Sequence, residues 1–133
     1  MALPSLIAVF IGAGIGAVLR WWLALAFNSI FPTIPLGTLA ANLLGGYLIG
    51  AATALFSLKA SLPAEARLPV VTGFLGGLTT FSTFSNEVVT LSTGEEFAWA
   101  AGAVALHVLR SLAMTALGLV SMRWLLLGDW AIG

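Results

Sequence analysis

The stretch GGLTTFSTFS, Gly76 to Ser85, gathers many of the side chains best able to do chemistry in this chain. Phe81 and Phe84 lie three residues apart and share a face if the segment is helical, with Thr80, Thr83 and Glu87 as a neighbouring stripe. One face then offers aromatic rings beside hydroxyls and a carboxyl. Two further polar stripes recur at a spacing of four: Thr38 with Asn42, and His107 with Ser111 and Thr115. Glu87, His107 and Ser111 show no motif that ties a nucleophile to a base, and no second ligand shares the His107 stripe. The chain has no cysteine, which removes disulfides, thiolate metal sites and thiol nucleophiles. What remains is hydrogen-bonding chemistry. Such stripes act as interhelical glue worth about 0.6 kcal/mol apiece, or as the wall of a solute pathway. The two phenylalanines alone also fit lipid-facing or core filler.

The backbone of the same stretch is suspect as a helix. Glycines stand at 73, 76 and 77 and threonines at 79 and 80. Glycine costs about 1 kcal/mol in a helix interior, and β-branched residues are mildly unfavourable there. The pattern predicts a break near Gly76 to Thr80. Irregular backbone at membrane depth is tolerated only where protein buries it or it lines a wet cavity. Freed carbonyls there can hold a cation, and the amides opening the second half-helix can face an anion. Spacing alone leaves a continuous helix with back-bonded hydroxyls open as well.

The elements that must position these residues are set by composition. The chain has 133 residues, enough for one domain, of which 60% are hydrophobic and 8% charged, against roughly 25% charged in a soluble domain. From Met1 to Leu58 the only charged side chain is Arg20. This composition is that of an integral membrane protein. Four stretches reach the roughly 20 apolar residues a bilayer requires, at 3–27, 35–58, 68–92 and 97–127. The expected fold is a single all-α domain of four transmembrane helices, the third broken, with both termini on one side. MALPS lacks a basic leader region and the apolar run outlasts a signal peptide, so the first helix is expected to stay in the mature protein.

Lys59, Arg67 and Arg123 fall on the side of the termini, and the opposite loops carry no Lys or Arg, which favours cytoplasmic termini. So slight a bias is compatible with one orientation or two. Arg20, Glu87 and Arg110 lie within spans, where a charge costs at least about 2.5 kcal/mol and is functional by default. Arg20, beside Trp21 and Trp22, reads as an interfacial anchor or as a vestibule cation. Small residues recur four apart at Gly12 and Gly16, Ala13 and Ala17, Gly46 and Gly50, and Gly73 and Gly77, which suits close helix packing within one bundle or between subunits. Gly12, Gly14 and Ala17 mimic a dinucleotide-binding turn, but the required acid about 20 residues on is missing. Zero net charge speaks against a nucleic-acid partner.

GGLTTFSTFS, with GTLAANLLGGYLIG in the second span and GAGIGAVLRW in the first, resembles the Fluc (CrcB) family of fluoride channels over essentially the whole chain. The resemblance implies an antiparallel homodimer inserted in both orientations in the cell inner (plasma) membrane, with two fluoride pores and a structural sodium ion at its centre. By that resemblance the backbone carbonyls of Gly76 and Thr79 hold the sodium. Phe81 and Phe84 line the pore with Asn42 and Thr38 from the second span, and Ser82, Thr83 and Ser85 are further hydroxyl donors. Arg20 corresponds to the family's first-helix arginine at the aqueous vestibule. Ser111 and Thr115 carry over from the fourth span. His107 stands where the family commonly has tyrosine, and protonation there would add charge beside the path. Arg110 is unusual for the family.

The implied function, passive export of cytoplasmic fluoride, suits these residues. Fluoride is small and strongly hydrated, so a selective path must replace water with donors such as Asn42 and the hydroxyls. Aromatic edges are positive and meet an anion without holding it as a fixed cation would, and conduction needs sites weak enough to leave. The alternative is a small four-span proton-coupled drug exporter, whose families place a carboxyl in the first span. Here that span has none, leaving Glu87 as the substitute.

Overall fold

The computed structural model describes residues 2–31, 34–59 and 61–128. All regular structure in them is helical. Helix α1 (Leu3–Phe27) opens with proline in its first turn, where a missing amide costs nothing. Helix α2 (Leu36–Leu58) follows, then a short α3 (Ala64–Arg67) that runs into a π-helical stretch (Leu68–Leu75) and α4 (Gly76–Leu78). Helix α5 (Phe81–Thr93) resumes after an interruption, and α6 (Phe97–Leu127) ends at Gly128, whose φ of 69° is the left-handed cap that glycine adopts freely. Helices α1, α2 and α6 are each long and apolar enough to cross a membrane. The remaining apolar stretch, 68–92, is divided among the π-helical stretch, α4 and α5.

The interruption falls on the threonines, not on the glycines. Gly76 keeps helical angles (φ −62°, ψ −36°), whereas Thr79 (φ −88°, ψ 153°) and Thr80 (φ −149°, ψ 116°) are extended. Extended backbone is the conformation that β-branched side chains prefer. The glycines are spent on packing instead.

Two tight helix pairs make the bundle: α2 lies along α6, and α1 lies along the π-helical stretch and α4. A methyl group on Gly50 would overlap the Thr115 carbonyl, and one on Gly118 would overlap the Tyr47 carbonyl. Across the other pair, Gly16 abuts the Phe74 carbonyl and Gly77 the Ala13 carbonyl. The small residues four apart thus serve contacts within one chain, where backbones approach closely. Gly14, of the apparent nucleotide fingerprint, faces open space. Leu23, Ala41, Leu75 and Leu78 form the buried core, the last two just before the interruption in sequence, with Leu19, Leu48, Ile49 and Phe74 around them. Outward faces carry Phe10, Trp21, Leu109 and Leu125, all exposed, as lipid-facing surfaces require.

Candidate functional site

At Thr79 and Thr80 the backbone leaves the helix, so its hydrogen bonds must go elsewhere. Asn42 of α2 takes both sides of one residue: its Nδ2 donates to the Thr80 carbonyl at 3.1 Å, and its Oδ1 accepts from the Thr80 amide at 2.8 Å. The Thr80 hydroxyl caps α5 by accepting from the Thr83 amide at 3.2 Å, and it also donates to the Thr83 hydroxyl at 3.1 Å. The Thr79 hydroxyl donates back to the Leu75 carbonyl at 2.9 Å, and its methyl packs where Gly45 has no side chain. From α1, Arg20 Nε donates to the Gly77 carbonyl at 3.1 Å.

These bonds have a consequence for two carbonyls. In a continuous helix the Thr80 amide would bond the Gly76 oxygen and the Thr83 amide the Thr79 oxygen. Here Asn42 holds the first amide and the Thr80 hydroxyl holds the second. The Gly76 and Thr79 carbonyls, which the resemblance assigns to sodium, are thereby deprived of their regular helical donors. Hard oxygen donors of this kind suit a hard cation.

Beyond the interruption, three rings stand in a row. Phe81 and Phe84 meet edge-on, with centroids 5.6 Å apart and planes at 66°, and Phe84 lies 4.5 Å from the His107 ring at 31°. Phe84 is 8% exposed and Phe81 78%. The row borders a groove of about 510 Å³ between the interruption, α2 and α6. Asn42, Gly76, Thr79, Phe81, Phe84, His107 and Ser111 all line it, so seven of the expected site residues converge.

The others lie around it. Thr38 is buried on α2, and Glu87 Oε2 is buried without a hydrogen-bond partner. Thr115 turns back to the Ser111 carbonyl at 3.0 Å. Ser82 meets the Thr80 hydroxyl at 3.2 Å, and Ser82 and Ser85 are exposed on the first turn of α5. Arg20 is drawn to the Gly77 carbonyl rather than into the groove. Arg110 is exposed and makes no ion pair with Glu87. Sequence reasoning missed the capping role of Thr80, although a threonine three residues ahead of Thr83 is a capping signal. It also missed the apolar liners Ile49, Val71, Val108 and Leu112, which nothing distinguishes from lipid-facing residues.

Residues 7–119 match the family described as CrcB-like protein, Camphor Resistance (CrcB). The chain belongs to the CrcB family. Among CrcB relatives, a fluoride-specific ion channel of Burkholderia cenocepacia (strain HI2424) is 57% identical over 122 residues, covering 91% of this chain and 95% of its own. Another so named, from Tolumonas auensis, is 60% identical over 120 residues, covering 90% and 94%. A third, from Burkholderia ambifaria, is 59% identical over 119 residues, covering 90% and 93%. Similarity of this extent spans both polar stripes, the interruption and the groove.

Proposed function

We propose that this CrcB chain is a fluoride-selective ion channel, not an enzyme, that lets cytoplasmic fluoride leave the cell passively through two pores of an antiparallel homodimer. The observation that carries the reading is the row Phe81, Phe84 and His107 along a groove whose polar lining comes from Asn42, Thr79 and Ser111. Ring edges and neutral donors replace the water of a small anion without trapping it. The close relatives' names support fluoride as the ion and weigh against a drug exporter.

In this reading the pieces between residues 68 and 92 together form a fourth, interrupted span. Each subunit supplies its Gly76 and Thr79 carbonyls to a sodium ion at the dimer centre, and that ion contributes a fixed positive charge that anchors the interruption. Phe81, exposed in one subunit, is covered by the partner. Thr38, Ser82, Thr83, Ser85 and Thr115 extend the hydroxyl lining, and Arg20 lies by the vestibule. Export is driven by the gradient and the membrane potential, about 2.3 kcal/mol per charge per 100 mV. The cell inner (plasma) membrane is its place. Efflux from liposomes carrying the purified protein, fluoride against chloride, tests the reading: rapid fluoride release with chloride retained is expected, and equal rates or no release would sink it.

A further inference from the structure

His107 is buried on α6, with its ring against Phe84 and in the groove wall. Its Nδ1 lies 3.1 Å from the Ala103 carbonyl, one turn back along the same helix. A carbonyl oxygen only accepts, so this contact is a hydrogen bond only when Nδ1 carries the proton. The neutral ring is therefore the Nδ1–H tautomer, and its distal nitrogen Nε2 is a bare acceptor. Nε2 is buried and has no hydrogen-bond partner among the described residues. A lone pair there has the wrong sign for an anion passing Phe84. Protonation reverses it, giving an N–H donor and a full positive charge.

We propose that His107 is a proton-controlled donor of the pathway: neutral, its Nε2 lone pair opposes an anion beside Phe84, and protonated, its Nε2–H receives one. This rests on the fluoride-channel reading above and adds a regulation to it. The sign follows directly. The conducting form is complete below the titration range of the histidine and is lost as pH rises through it.

Few other charges surround the ring. On α5, Glu87 stands one turn beyond Phe84. On α2, Tyr47 is engaged by Ser121 and Lys59 caps the far end. On α6 itself Arg110 is exposed and Arg123 lies farther along, while Arg20 of α1 is held by Gly77. Glu87 is thus the competing source of a pH response, and Glu87→Gln separates the two.

Two measurements test the proposal. Fluoride efflux from liposomes, corrected for protein-free vesicles, should rise about tenfold from pH 8 to about pH 5, the histidine range, in the native chain and in Glu87→Gln. His107→Phe, which keeps the stacking ring, should conduct at a low rate independent of pH. A flat native profile, or a slope retained in His107→Phe, overturns the proposal while leaving the channel reading intact, whereas absence of fluoride flux at every pH overturns both. Because His107 is the single histidine, nitrogen-15 spectra of histidine-labelled protein report it directly. At high pH they should give the Nδ1–H tautomer, and added fluoride should move the titration midpoint to higher pH, since a ligand favouring the protonated ring must also favour its proton. The opposite tautomer, or a midpoint indifferent to fluoride, overturns it.

Discussion

Phe81 and Phe84 sit three residues apart yet are differently committed, the first 78% exposed and the second 8%. A leucine at either keeps apolar bulk but removes the ring edge that meets an anion. Phe81→Leu should therefore leave the protein's thermal stability in detergent nearly unchanged, yet slow fluoride efflux by about fivefold, since an aromatic edge contributes on the order of 1 kcal/mol beyond its area. Unchanged efflux would return Phe81 to lipid-facing filler. Asn42 invites a different test, because both ends of its amide are engaged by Thr80. Asn42→Ala leaves a half-buried amide and carbonyl of Thr80 without these partners, at a cost of about 1 kcal/mol each, and should lower the unfolding temperature. Asn42→Asp keeps the acceptor for the Thr80 amide, so it should unfold later than Asn42→Ala while conducting no fluoride past its negative charge. If Asn42→Ala unfolds like the native protein, the clamp is not structural. Asn42 was legible in the sequence as a polar residue on the right face, but its partner was not. A bond across 38 positions depends on how α2 meets the interruption, which one-dimensional spacing does not encode.

At the scale of elements, apolar length placed α1, α2 and α6, because in lipid a helix must satisfy its own backbone and its length is set by the bilayer. The same signal ran through 68–92 without a stop, and only glycines and threonines hinted at a break. Local composition identified the interval, and backbone preference within it put the turn on Thr79 and Thr80. The π-helical register of Leu68–Leu75 had no signature in the sequence. Small residues were legible as packing residues, but the choice between an intrachain and an intersubunit role needed their neighbours. Gly50 and Gly102 separate packing from mere composition. Gly50→Ala sets a methyl on the Thr115 carbonyl and should cost about 1–3 kcal/mol through overpacking. Gly102→Ala meets nothing within 4 Å and should be neutral or gain up to about 1 kcal/mol of helix propensity. Unfolding temperatures of the two variants in one detergent check this, and equal losses would mean the α2–α6 contact is looser than its geometry implies.

At the scale of the molecule, the question is what completes the groove and how the chain sits in the bilayer. The single chain leaves Phe81 and Gly76 exposed beside the groove, and the Gly76 and Thr79 carbonyls lack their regular helical donors. A second copy related by a two-fold axis in the membrane plane would bring a matching set of carbonyls to the first, and such an axis requires the two subunits to be inserted oppositely. The basic residues permit this. Lys59, Arg67 and Arg123 outnumber the cations of the opposite loops, but three charges make a weak topological preference where Arg20 sits toward the other end of its helix. A tag on the C-terminus, probed with an impermeant reagent in intact cells and again after permeabilisation, should therefore be labelled in two populations, part accessible from outside and the rest only after lysis. Adding two lysines between residues 61 and 66 should drive nearly all copies to one orientation, and by removing the oppositely inserted partner it should reduce fluoride efflux by about tenfold or more. Coexpression with a copy biased the other way, by lysines between residues 93 and 96, should restore it. A native chain labelled from one face only, or a biased chain that conducts alone as well as the pair, would contradict the antiparallel dimer and with it the shared sodium site.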